Sequence, residues 1–129
     1  MKITPEHITT LAGNEIFVFG SNLGGKHDGG AAYTARAKFG AIQGQGIGLQ
    51  GRCYAIPTKR MSVSEIKPYV DAFILFAKEH PELQFMVTRI GCGHSGHTDE
   101  EIAPLFKEAL GMDNVVLPES FINALMKNQ

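Results

Sequence analysis

Short unbroken apolar runs alternate with segments of helical period along this chain. Residues 16–19 (Ile-Phe-Val-Phe) form an apolar run that stops at Gly20, the pattern of a strand buried on both faces. Residues 31–39 follow, rich in helix formers and ending at Gly40, which suits the position just past a helix end. Residues 53–56 (Cys-Tyr-Ala-Ile) predict a second strand, closed by Pro57. Ser62 to Glu65 matches a capping box, and Ile66, Tyr69, Val70, Phe73, Ile74 and Ala77 keep a helical period behind it. Pro68 inside that stretch predicts that regular helix begins only near it. Residues 85–90 predict a third strand, and Thr98 to Glu101 a second capping box. The helix behind that box carries Ile102, Leu105, Phe106 and Leu110, with a kink at Pro104. Residues 115–117 predict a fourth strand and residues 120–127 a last helix.

Strands alternating with helices predict an α/β fold with a mostly parallel sheet, in which ligands bind beyond the carboxyl ends of strands. With 129 residues and no internal repeat or linker, one domain over 1–129 is expected. A formal net charge of −1 without any Lys or Arg run argues against duplex nucleic acid as a partner. Two cysteines outside any paired motif, no signal-peptide core and no membrane-length apolar run predict a cytoplasmic protein.

Glycine changes the picture most. Its 15 residues cluster at 20–30, 40–51 and 91–96. The first and third clusters leave predicted strand ends and run into predicted helices. There, free backbone N–H groups and the positive end of a helix suit a phosphate. Gly29, Gly30 and Ala31 are the candidate donors of the first loop. Residues 91–97 (Gly-Cys-Gly-His-Ser-Gly-His) form the second. The middle cluster is expected to be a mobile loop. Neither a P-loop nor a dinucleotide glycine fingerprint is present, and tight turns without a ligand are the plain alternative. Asn22 suits either a ribose hydroxyl or a local turn. Asp28 suits either a general base acting on water or a helix N-cap. Cys92 is either a nucleophile at a helix N-terminus or a packing residue. His27, His94 and His97, with Cys92 and Asp99, are metal-ligand types in no recognised spacing, so no metal is expected. Stacking on, or hydrogen bonding to, a ligand is their expected role.

Taken in order, these residues resemble the macro domain, the ADP-ribose-binding family. Residues 7–11 (His-Ile-Thr-Thr-Leu) and 16–22 (Ile-Phe-Val-Phe-Gly-Ser-Asn) are similar to that family's G-D-I-T-x-L and V-N-A-A-N segments. Residues 24–31 resemble its glycine-rich loop, and residues 90–97 its second loop, I-S-T-G-x-x-G. The similarity covers most of the chain and is that of a divergent bacterial or phage branch. It implies a three-layer α/β/α fold. It also implies ADP-ribose or an ADP-ribosylated substrate as partner, without a cofactor. Asn22 would contact the distal ribose and Asp28 would activate water. One phosphate would meet Gly29, Gly30 and Ala31, near Gly20 and Ser21. The other would meet Gly93 to Gly96, within a ligand-binding loop of Gly91, Cys92, Gly93, His94, Ser95, Gly96 and His97. Hydrolysis of an ADP-ribose derivative and binding without turnover are both compatible with this cleft, and a metal-assisted hydrolase on His27, His94 and His97 is the third reading. The family's adenine-binding Asp is His7 here, and its Ala-Ala is Gly20-Ser21, so adenine selectivity does not carry over.

Overall fold

The computed structural model describes residues 2–93 and 95–127. A six-stranded sheet is built from β1 (Ile3–Thr4), β2 (Glu15–Ser21), β3 (Gly48–Gln50), β4 (Cys53–Pro57), β5 (Gln84–Val87) and β6 (Val115–Pro118). Their spatial order is β1-β6-β5-β2-β4-β3. Every pairing is parallel except β3 with β4. The α/β class with a mostly parallel sheet is therefore as expected.

Strand pleating divides the core. Ile16, Val18, Tyr54, Ile56, Phe85, Val87, Val115 and Leu117 face one side. There they meet α2 (Val63–Glu79), the 3-10 helix Ala103–Gly111 that extends α3 (Asp99–Ile102), and α4 (Glu119–Lys127). Phe73 anchors that side, edge-on to Tyr54 and Phe85 with ring centres at 5.2 and 5.4 Å. Phe17, Phe19, Cys53 and Ala55 face the other side and pack on Ala32, Ala35 and Phe39, at and just beyond α1 (Gly30–Lys38). Helices thus cover both faces, as an alternation without a polar face requires.

Four expectations change. α2 begins at Val63, five residues before Pro68, because its capping box is complete: Glu65 N donates to Ser62 Oγ and Ser62 N to the Glu65 carboxylate. Pro68 only removes one internal bond near the start of the helix. β5 ends at Val87, not residue 90, because both Thr88 N and Thr88 Oγ1 donate to Val18 O, which closes the ladder. At Pro104 the chain tightens into 3-10 geometry instead of kinking an α-helix. The glycine-rich segment 40–51 is not a loose loop. Its end forms β3, and Gln50, 3% exposed, accepts from Ile42 N and donates to Gln45 O and Gly48 O.

No helix among the described residues is long and apolar enough to cross a membrane.

Candidate functional site

β2 and β5 are neighbours, yet the helices that follow them cover opposite faces of the sheet. Their outgoing loops therefore part, leaving a crevice at the carboxyl ends of the strands. A groove of about 1230 Å³ lies there. A smaller hollow of about 220 Å³, lined by Gln84, Met112 and Ile122 among others, carries none of the candidate residues.

The groove gathers Gly20, Ser21, Asn22, Asp28, Gly29, Gly30, Ala31, Gly91, Gly93 and Ser95. Cys92, Gly96 and His97 are not on its wall, and His94 lies outside the described residues.

The two glycine loops differ as anion sites. α1 starts at N-cap Gly29, which has no side chain to offer, and no side chain caps the helix. Tyr33 N bonds Gly29 O at 3.2 Å, while Gly29, Gly30, Ala31 and Ala32 open on the groove. No acidic residue occupies the first turn. This is an open helix N-terminus with its partial positive charge unmet. α3 behind the second loop is the opposite. Thr98 and Glu101 form a complete capping box, and Asp99, Glu100 and Glu101 fill its first turn. The second loop also spends its own donors: Gly96 N binds Gly93 O and His97 N binds Gly91 O, at 3.1 and 3.0 Å. Gly91 sits at φ +75°, and a Cβ there would approach Ile102 Cδ1 to 3.0 Å, so only glycine lets this loop lie against the next helix.

The polar candidates resolve as follows. Asn22 closes its own loop: Nδ2 donates to Lys26 O and Oδ1 accepts from Lys26 N, both at 2.9 Å. Ser21 is buried and its hydroxyl donates to Gly46 O at 2.5 Å. Asp28 is not the cap of α1. Its exposed carboxylate accepts from Gln43 Nε2 at 3.1 Å and lies 4.0 Å from Arg36. Gln43 also accepts from His27 N at 3.0 Å, so one side chain orders the segment leading to α1.

His27 is fully buried, edge-on to Phe19, outside the groove. Its Nε2–H donates to Gln45 O at 2.9 Å, leaving Nδ1 without a partner among the described residues. His97 Nε2 donates to Met61 O at 2.7 Å. No group of three or more His, Cys, Asp or Glu is placed to hold a metal ion among the described residues. Cys92 does not behave as an activated nucleophile. Burial, reinforced by the Asp99 carboxylate, pushes its thiol up to about 12. Sγ lies 3.7 Å from Asp99 Oδ1. Asp99 itself is held below its ordinary value chiefly by Arg89, whose Nε and NH2 each reach it at 2.8 Å. Cys53 is core, its thiol likewise raised to about 12 by burial.

Thr58, Lys59, Arg60 and Arg89 line the groove and were absent from the candidates read in the sequence. Their signal was available: Thr58, Lys59 and Arg60 directly follow Pro57 at the carboxyl end of β4, and Arg89 leaves β5.

Comparison with protein families, with curated proteins and with solved structures gives no match.

Proposed function

We infer that the groove binds ADP-ribose or a related nucleotide-diphosphate sugar, with one phosphate at the N-terminus of α1. The observation that carries this reading is the uncapped start of α1. α2 and α3 are both closed by complete capping boxes, whereas α1 opens bare N–H groups on the groove. A phosphate supplies the missing cap and meets the helix dipole with the right sign. Lys26 lines the same wall and adds a cation. The second loop supports the other phosphate more weakly, since its helix is already capped and acidic.

Hydrolysis of an ADP-ribose derivative rests on Asp28, an exposed carboxylate on the groove wall, as base for an attacking water. Binding without turnover is the second reading. It is favoured by Asn22, whose amide already holds the Lys26 backbone at both ends.

Calorimetric titration with ADP-ribose, with ADP and AMP as controls, tests the ligand. Micromolar binding of ADP-ribose, tighter than either control, is expected; no heat with any of them removes the reading. Turnover of ADP-ribosylated protein then separates the two forms. Loss of turnover in Asp28→Ala at unchanged affinity supports hydrolysis, and tight binding with no product supports the module.

A further inference from the structure

The glycine cluster at 40–51 contributes no residue to the groove wall, yet one of its side chains reaches a residue that lines it. Gly44 N donates to Gly25 O at 2.8 Å and Gln45 N to Ile42 O at 3.1 Å, so residues 42–45 turn back against the loop that follows β2. Glycine permits that approach: Gly25 sits at φ +70°, and a Cβ there would fall 2.3 Å from Gly44 C. Ile42 N is held by Gln50 Oε1 at 2.8 Å. Gln43 therefore stands between two pinned neighbours.

Both ends of the Gln43 amide are used, on consecutive residues. Oε1 accepts from His27 N at 3.0 Å, and Nε2 donates to Asp28 Oδ1 at 3.1 Å. His27 is fully buried and its ring donates to Gln45 O at 2.9 Å, so residues 27–28 and the turn 42–45 are tied at three points. One end of the amide must accept and the other must donate. A glutamate carboxylate has the reach but no donor, and a lysine ammonium has no acceptor.

Arg36 NH2 stands 4.0 Å from the same Asp28 oxygen, and its guanidinium lies over the Tyr33 ring at 5.4 Å. Oδ1 is thus approached from two sides, while Oδ2 has no partner among the described residues. The Asp28 side chain is 64% exposed, so the Gln43 amide is its one close restraint among the described residues.

We propose that Gln43 is a positioning residue for Asp28: it holds Oδ1 so that Oδ2 is presented to the attacking water. This rests on the reading of Asp28 as the base of a hydrolase. The water proton goes to Oδ2, the water oxygen replaces the leaving group, and the leaving group departs with the bonding pair and takes that proton. A base acts only within hydrogen-bond reach of the proton it takes, so holding one oxygen of an exposed carboxylate raises the fraction of time the other is in place.

The test measures turnover of ADP-ribosylated protein, ADP-ribose affinity and melting temperature in wild type, Asp28→Ala, Gln43→Glu and Gln43→Ala. Gln43→Glu separates the two bonds, since its carboxylate still accepts from His27 N but sets an oxygen against Asp28 Oδ1. In that variant kcat should fall about tenfold, with KM and ADP-ribose affinity within about threefold of wild type. Its melting temperature should stay within about 3 °C. Gln43→Ala loses both bonds and should lose kcat to a similar extent while also melting lower. Wild-type kcat in Gln43→Glu, with Asp28→Ala inactive, overturns the positioning role and leaves Asp28 as the base. A rise in KM in place of the fall in kcat overturns it as well. No turnover by wild type, or full turnover by Asp28→Ala, overturns the hydrolytic reading and the role of Gln43 with it.

Discussion

Gly46→Ala perturbs the candidate site without touching any ligand. A Cβ at this position would fall 2.1 Å from Asn22 O and 2.9 Å from Leu23 O, both rigid backbone atoms. The methyl cannot be housed unless segment 40–51 moves off the loop that follows β2. That shift breaks the Ser21 hydroxyl bond to Gly46 O and strains the Gly44 N bond to Gly25 O, at 2.5 and 2.8 Å. Overpacking costs about 1–3 kcal/mol, and a lost hydrogen bond adds about 1 kcal/mol. A loss of about 2–4 kcal/mol follows, or roughly 6–15 °C in melting temperature for a domain of this size. Two controls isolate the cause. Gly44→Ala meets nothing within 4 Å but sits at φ +98°, so strain alone acts, at about 1 kcal/mol. Gly13→Ala has open space and no positive φ, so a change within about 0.5 kcal/mol is expected. Thermal and urea unfolding of the three variants reads the order directly. If Gly46→Ala unfolds together with Gly13→Ala, the clasp between these loops is not the contact described.

Phe73→Ala removes the ring at the centre of the larger core and should cost about 3–5 kcal/mol by urea unfolding; a loss under about 1 kcal/mol would contradict the packing. Ser62→Ala should cost about 1 kcal/mol by opening the α2 cap, and an unchanged urea midpoint would speak against it. Burial pushes both thiols up from their ordinary 9.0 to about 12. Their folded values are raised, so this contribution to stability is complete below pH 9 and is lost as pH rises toward 12. Cys53→Ala should flatten the alkaline fall in urea midpoint, and an identical fall would count against a buried thiol. Asp99→Asn removes a carboxylate that holds the Cys92 thiol up, so Cys92 alkylation at pH 9 should speed up. An equal or slower rate would contradict that coupling.

Much of this fold was legible because its strands and helices follow simple periods. Both capping boxes closed as their spacing demanded, and Gly40 took φ +83° behind α1. What escaped is held by contacts distant in sequence. β1 is two residues long and exists through pairing with β6, more than a hundred positions away. β3 is concealed among glycines and becomes a strand by pairing antiparallel with β4, while Gln45 and Gln50 hold its Leu49 and Gly48 carbonyls from the side. The two glycine loops were read as equal phosphate sites, although the box behind the second, Thr98 to Glu101, was itself legible. The capping box of α3 and its acidic first turn make the second the poorer phosphate site, a distinction that appears once donors are counted. Asn22 and Ser21 matched a binding pattern, yet in the structure both also fasten loops together. The cations after β4 were passed over because isolated Lys and Arg carry no pattern until a groove collects them.

The proposed site is tested most directly by following backbone amides in nuclear magnetic resonance while ADP-ribose is added. The largest shifts should fall on Gly30, Ala31 and Ala32 at the open start of α1, with smaller ones at Gly91, Gly93 and Ser95 and none at the hollow near Gln84 and Ile122. Shifts confined to that hollow, or none anywhere at millimolar ligand, would contradict a nucleotide-diphosphate site at the start of α1.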